Sequence, residues 1–377
     1  MAYAFPPSRV FPLQNPISTT DIHKEMEVSA KDSPFLERVI AMDVGVRNRY
    51  FVEPLEVVAR AGNMEERNKW AKRGMRALAK QAVLEALERA SLLPKDIHHI
   101  ITSNSVNPGT PGVDVYAVNE LVKRGMSPSV KRTPATTLGC VGGAHTLGTA
   151  ADWADTHPGK NVLVLIPEPL SAVYQTGGHD ISKPRKPASL DSLLWRLFFG
   201  DSAAACVVTA PSNARHERPP RGACMRIVDS WQYVIPDSMT TYELDHLSDG
   251  LHFLSERGAQ RMVRKLKAPL EEWLPEGWRP ETVIGHPGGP AVLRNMADML
   301  GFPADPDDPG NPLKLSWKRL SEIGNTGGAA VCDLLAETAE HAPNPGSETL
   351  LLALGPGVTG GAVRGQMLDP NDTPAVA

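Results

Sequence analysis

The sequence predicts an α/β protein made of two similar halves, and three observations carry that reading. Helix-like and strand-like stretches alternate along the 377 residues; a glycine-rich hexamer occurs twice, 185 residues apart; and each copy leads into a helix pattern and then an apolar strand pattern. The copies are Gly139-Cys140-Val141-Gly142-Gly143-Ala144 and Gly324-Asn325-Thr326-Gly327-Gly328-Ala329, which share Gly, Gly, Gly and Ala at matching places. A duplicated half predicts two layers packed face to face, each sending a helix to the middle of the molecule. Cys140 and Asn325, at equivalent places in the two copies, would then meet. The halves are expected to span 1–215 and 216–377.

The elements follow in order. Ala, Leu, Lys, Glu and Arg dominate from Glu65 to Leu93, with apolar Leu78, Val83, Leu84 and Leu87, which predicts an amphipathic helix stopped by Pro94. His98 to Thr102 (HHIIT) reads as a buried strand, Asn107 to Gly112 as a loop, and Val113 to Arg124 as a helix. The first hexamer opens a helix ending near His157-Pro158-Gly159, before the strand Asn161 to Ile166 (NVLVLI). The second leads through His341 to Gly346 into the strand Thr349 to Leu354 (TLLLAL). Gly177 to Ser192 and Ala210 to Arg221 carry Pro, Gly and charge without a period, and read as loops.

Composition narrows the function. With 41% hydrophobic and 22% charged residues the chain can bury a large core. A net charge of -4 argues against the broad cationic surface that nucleic acid or an anionic membrane requires. No window approaches 18 apolar residues, and Met1 to Asn15 does not read as a signal peptide. The four cysteines, Cys140, Cys206, Cys224 and Cys332, lack the spacing of a zinc site or a disulfide framework, so no metal and a reducing cytoplasm are expected.

Cys140 is placed at a predicted helix N-terminus, where unpaired N–H groups and the helix dipole favour a thiolate. Cys206, in AAACVV, and Cys332 read as inert buried cysteines. His286 ends the short apolar run Val283 to Gly285 and precedes a glycine turn, which aims it into a cleft; His98, His99, His157 and His216 read as loop or surface histidines. Imidazole beside a thiol is an activating pair, and the amide of Asn325 would complete an oxyanion site.

Several segments together resemble the type III polyketide synthases of the chalcone/stilbene synthase superfamily. They are Arg49-Tyr50-Phe51 with Pro54-Leu55-Glu56, Thr136 to Ala144 (TTLGCVGGA), Leu197 to Ala205 (LFFGDSAAA), Pro236-Asp237-Ser238, Gly285 to Pro290 (GHPGGP), Ser321 to Asn325 (SEIGN) and Gly355-Pro356-Gly357. The resemblance runs from Leu36 to Met367; Val141-Gly142-Gly143 and Glu168 to Gln175 (EPLSAVYQ) look like microbial members.

The resemblance implies a thiolase-like fold, with duplicated βαβαβαββ halves in a five-layer αβαβα architecture, and a homodimer. It implies an acyltransferase without a cofactor, which condenses malonyl-CoA onto an acyl or malonyl starter held on Cys140. His286 would keep the thiol ionised and, with Asn325, bind the malonyl carbonyl; the extended chain would close to a pyrone, resorcinol or related phenolic. Phe199 would gate the passage between a CoA tunnel and an elongation cavity, with Phe253 as a second gate. Gly288, Gly289 and Gly355-Pro356-Gly357 would shape the floor and tunnel. Arg38, Arg47 and Arg49 would be available to CoA phosphates. Gly327 stands where plant members commonly carry Ser and is expected to leave more room. The stretch Tyr174 to Trp195, longer than the family norm, carries Lys183, Arg185 and Lys186 and could reshape the starter pocket.

Other classes compete with this reading. Priming ketoacyl-carrier-protein synthases use the same Cys, His and Asn for one condensation, but do not combine LFFGD with a terminal Gly-Pro-Gly in this form. Papain-like hydrolases also order Cys, His and Asn, yet place Trp directly after the cysteine, where this chain has Val141. A non-catalytic subunit would be expected to lose the nucleophile, and all three residues are present.

Overall fold

The computed structural model describes residues 1–13, 16–60, 63–106, 109–174, 189–212, 219–247, 250–341 and 344–370. The first half opens with β1 (Ala2–Ala4). A two-stranded ribbon of β2 (Ile17–Ser18) and β3 (Asn48–Arg49) follows, with helices α1 (Thr19–Ser29), α2 (Leu36–Ile40) and α3 (Leu55–Val58) around it. Then come α4 (Met64–Arg89), β4 (Ile97–Asn104), α5 (Val113–Val122), β5 (Lys131–Thr136), α6 (Gly142–Thr156), β6 (Asn161–Glu168), α7 (Leu190–Phe198) and β7 (Ser202–Thr209). The second half holds β8 (Met225–Val234), the hairpin of β9 (Tyr242–Leu247) and β10 (Gly250–Ser255), α8 (Lys267–Trp273) and β11 (Thr282–Gly285). It ends with α9 (Pro290–Leu300), α10 (Lys314–Ile323), α11 (Ala330–His341), β12 (Glu348–Gly355) and β13 (Thr359–Met367).

The strands lie in the order β11-β12-β13-β8-β1-β7-β6-β4-β5. Counted within its own half, the first contributes strands in the order 3-2-4-5-1; the second contributes β11-β12-β13-β8, which takes the places 2-4-5-1 of that order. In both, the fifth strand runs antiparallel to the fourth. The duplication therefore extends from the hexamers to sheet topology, although no third strand appears in the second half among the described residues. β1 and β8 pair antiparallel, with Ala2 opposite Ile227, and link the two sheets.

Five layers result. α6 packs against β4, β6 and β7 on one side and β8, β12 and β13 on the other, and α11 touches β11, β12 and β7, so these helices form the middle layer. α4 covers β6 and β7 from outside, while α10 covers β11 beside α9. A helix buried on both sides favours small side chains, and α6 buries Gly142, Gly143, Ala144, Gly148, Ala150, Ala151 and Ala154 alongside Thr146 and Leu147. A Cβ on Gly143 would lie 2.3 Å from the carbonyl oxygen of Gly328 and 2.5 Å from a methyl of Val331, at the crossing of α6 and α11.

Some boundaries differ from expectation. α4 stops at Arg89, before Pro94: the Leu92 amide turns back onto the Leu87 carbonyl, and Pro94 instead opens a short 3-10 turn. Leu190 to Ser192 is the first turn of α7, not loop, because the Ser189 hydroxyl caps it by accepting from the Ser192 amide at 3.1 Å. Lys183, Arg185, Lys186, His216 and the expected boundary after residue 215 lie outside the described residues.

The α6–α11 crossing gives a direct test. Gly143→Ala forces a methyl against backbone, so it should lower stability by about 1–3 kcal/mol, read from the urea unfolding midpoint.

Candidate active site

Cys140 sits in a 3-10 turn, Gly139–Val141, that leads directly into α6. Gly139 takes φ of +59°, and a Cβ there would strike Pro356 at 2.3 Å. This conformation folds the Cys140 turn against the segment after β12. From the other half, Asn325 enters between α10 and α11. Its amide donates to the Phe198 carbonyl at 2.7 Å, and its own carbonyl accepts from the Gly200 amide at 3.0 Å. The Asn325 side-chain oxygen accepts from the Gly327 amide at 2.9 Å, which orients the carboxamide. Nδ2 then stands 3.9 Å from Cys140 Sγ. The two equivalent hexamer positions do meet.

His286 follows β11, its amide bonded to the Leu352 carbonyl at 2.8 Å. It is 2% exposed and lines the same cavity as Cys140 and Asn325, with Gly288, Val292, Gly355 and Pro356. A second chamber opens from Cys140 between Ser105, Thr137, Leu170, Val173, Leu244 and His246. The chambers measure about 70 and 140 Å³ and share only Cys140, Phe199, Phe253 and Pro356. Phe199 and Phe253, 5.5 Å apart between ring centres, thus stand at the partition, and Trp195 packs on both at 5.3 and 4.2 Å.

The chain matches the family model for chalcone and stilbene synthases, N-terminal domain, over residues 20–212. It is 32% identical over 330 residues to a 1,3,6,8-tetrahydroxynaphthalene synthase of Streptomyces peucetius subsp. caesius, covering 85% of this chain and 81% of that one. It is 28% identical over 346 residues to the synthase of the same name from Streptomyces coelicolor, covering 90% and 85%. Among solved structures, germicidin synthase from Streptomyces coelicolor, described as a type III polyketide synthase, superposes with a TM-score of 0.85 at 30% identity over 97% of this chain and 99% of that one. The chain is a type III polyketide synthase of the chalcone and stilbene synthase family.

In this polyketide synthase the resting site is neutral. Burial pushes the Cys140 thiol up to about 12; the Glu168 carboxylate pushes the same way, and the hydrogen bond with Asn325 opposes them. Burial holds His286 down to about 3. The thiolate expected at the helix N-terminus is therefore not the resting form, because enclosure outweighs the helix end. Glu168, fully buried at the end of β6, is a site residue that the sequence reading passed over. It accepts from the Ser105 amide, the Ser105 hydroxyl and the Gly328 amide, each at 2.9 Å. A carboxylate ending an all-apolar strand was the available signal.

Other expectations need correction in the synthase. A Cβ on Gly327 would lie 3.1 Å from both Glu168 and Leu170, so their side chains occupy the space that glycine was expected to free. Gly289 packs against Phe198, and Gly357 bonds to Tyr242 and Ser238; unlike Gly288, Gly355 and Pro356, neither lines the two chambers. Arg49 is 0% exposed and donates to the Leu197 carbonyl and the Thr19 hydroxyl, both at 2.8 Å, so it is turned away from solvent and from any phosphate there. Arg38 and Arg47 are exposed. Cys206 and Cys332 are buried, as read.

Burial raises Glu168 from 4.5 to about 7 and Asp201, which accepts from Ser171 and Val52, from 3.8 to about 7. A carboxyl whose folded value is raised stabilises the fold below its unfolded value, and that contribution is lost as pH rises through the folded one. The urea midpoint should therefore fall between about pH 4.5 and pH 7, Glu168 contributing on the order of 3 kcal/mol, and Glu168→Gln should flatten the slope.

Proposed function

We propose that the protein condenses malonyl-CoA repeatedly onto an acyl starter held on Cys140 and then closes the chain to a pyrone, resorcinol or related phenolic. The observation that carries this reading is one cavity lined by Cys140, His286 and Asn325, continuing past Phe199 and Phe253 into a larger apolar chamber. The relatives named for tetrahydroxynaphthalene and germicidin support a ring-forming outcome.

As the starter thioester arrives, Cys140 gives its proton to His286 and its sulfur attacks the acyl carbonyl. A new C–S bond forms and CoA leaves as the thiol, carrying the proton from His286. His286 is then neutral again, and burial keeps it so. Malonyl-CoA next takes the chamber beside His286 and Asn325. Its C–CO₂ bond breaks, CO₂ departs, and the enolate oxygen receives hydrogen bonds from the imidazole and from Asn325 Nδ2. Donors already in place favour this developing charge over the ground state. The enolate carbon attacks the Cys140 thioester, a C–C bond forms, and the C–S bond to Cys140 breaks. The extended chain returns to Cys140 by thioester exchange and grows toward Leu170 and Leu244. Phe199 and Phe253 separate the CoA side from the growing chain in this scheme.

Exposed Arg38 and Arg47 are the proposed contacts for CoA phosphates. Among the described residues β5 is an edge strand paired only with β4, and the symmetric dimer we propose rests on the family rather than on that edge. No described helix is long and apolar enough to cross a membrane. Four free cysteines accord with the cytoplasmic setting we propose.

Incubation with malonyl-CoA and acyl-CoA starters of increasing length, read by mass spectrometry, is the test: products longer than one condensation should appear and grow with the starter. Single condensation products formed only from carrier-protein thioesters would overturn the reading. Cys140→Ala should abolish product. Asn325→Ala should slow malonyl-CoA decarboxylation about 10²- to 10³-fold, while starter loading on Cys140, followed as an intact-protein mass shift, should suffer far less.

A further inference from the structure

The hairpin contributes a side chain for which the condensation cycle has no use. Alternate residues of a strand share a face. On β9, Tyr242 lines the chamber with His286, while Leu244 and His246 line the larger one. Leu244 pairs with Phe253 and His246 with Leu251, so His246 lies one step of two residues, about 7 Å, beyond the Phe199–Phe253 partition.

Among the described residues the larger chamber is otherwise poor in proton acceptors. Ser105 Oγ donates to Glu168, and Thr137 Oγ1 donates to the Thr136 carbonyl. Cys140 is occupied by the chain, and Gly139, Leu170, Val173, Phe199, Leu244, Phe253 and Pro356 carry no titrating group. Among the described residues His246 is thus the imidazole that faces an extended chain in this chamber, and it is exposed, so water reaches it.

We propose that His246 is a catalytic residue of ring closure, acting on the poly-β-keto chain after extension ends; the inference rests on the condensation reading above. A methylene between two keto groups loses its proton to the imidazole. The enolate, through carbon or oxygen, attacks the thioester carbonyl on Cys140. A C–C or C–O bond forms, the C–S bond breaks, and the electron pair leaves on sulfur. The imidazolium then returns the proton, directly or through water, to the Cys140 thiolate. Nothing is oxidised or reduced, and the free thiol is restored for the next starter.

The test compares the wild type with His246→Ala and His246→Gln, using malonyl-CoA and an acyl-CoA starter, and reads cyclic product formed per CO₂ released. That ratio cancels any change in the rate of extension. It should fall at least about tenfold in both variants, with linear acids in place of rings, and added imidazole should restore it in His246→Ala. An unchanged ratio in His246→Ala overturns the inference. So does a loss in His246→Ala that imidazole fails to rescue and that His246→Gln does not share, because His246 would then only shape the wall. If the wild type releases no CO₂ from malonyl-CoA, the condensation reading itself fails and this inference falls with it.

Discussion

The close passage of α6 and α11 at Gly143 and Gly328 is the constraint on which the molecule depends. Two helices buried between two sheets bring their N-termini this close because position 143 carries no side chain, leaving room for the Gly328 carbonyl and the Val331 methyl. The same approach leaves Cys140 Sγ and the Asn325 carboxamide 3.9 Å apart, one from each half. It also aims two helix N-termini, each the positive end of a dipole, at one small volume. Negative charge developing in that volume would be favoured by backbone that was fixed when the chain folded. A duplicated half thus yields a site that neither half holds alone, with Cys140 in one copy and the Asn325 carboxamide in the other.

Enclosure sets the electrical state of that site. A thiol pushed up to about 12 and an imidazole held down to about 3 form a neutral pair at rest. A neutral imidazole still carries one N–H that can donate to an oxygen in the cavity. A neutral thiol in a walled cavity is slow to react with stray electrophiles or oxidants. Glu168 strengthens the bias. It anchors the turn after Asn325 through the Gly328 amide, yet its charge opposes the thiolate. The carboxylate that fixes the geometry therefore also delays ionisation until a thioester carbonyl is there to be attacked.

Much of the fold was legible because duplication left marks at two scales, the hexamers and the strands that follow them. Cys140, Asn325 and His286 were readable because each sits where backbone pattern changes abruptly: a glycine turn into a helix, or a strand ending in glycines. Trp195, Leu244 and His246 were not. They line the chambers from a helix next to residues 175–188 and from a hairpin, and only folding brings them to Cys140. Gly327 was misread for a related reason. The absence of a side chain looks like space in a sequence, whereas in the fold Glu168 and Leu170 have moved into it.

Arg49 shows how a residue type that suggests one chemistry can be committed to another. With Arg38 and Arg47, the family resemblance made it available to a CoA phosphate. In the fold its Cβ lies against Gly200 and Gly324, and its guanidinium is bonded to the carbonyl of Leu197, two residues before Phe199. The strip it supports is the one where Asn325 donates to Phe198 and accepts from Gly200. Burial pulls the guanidinium down to about 10, yet it stays charged at neutral pH and donates to the Leu197 carbonyl and the Thr19 hydroxyl. A buried cation costs several kcal/mol unless its hydrogen bonds hold. That cost gives the strip little freedom to shift: if Phe199 or Asn325 moved with it, Arg49 would lose the carbonyl that makes its burial tolerable. Phe199 and the amide that faces Cys140 thus belong to one hydrogen-bonded strip that a buried cation also holds.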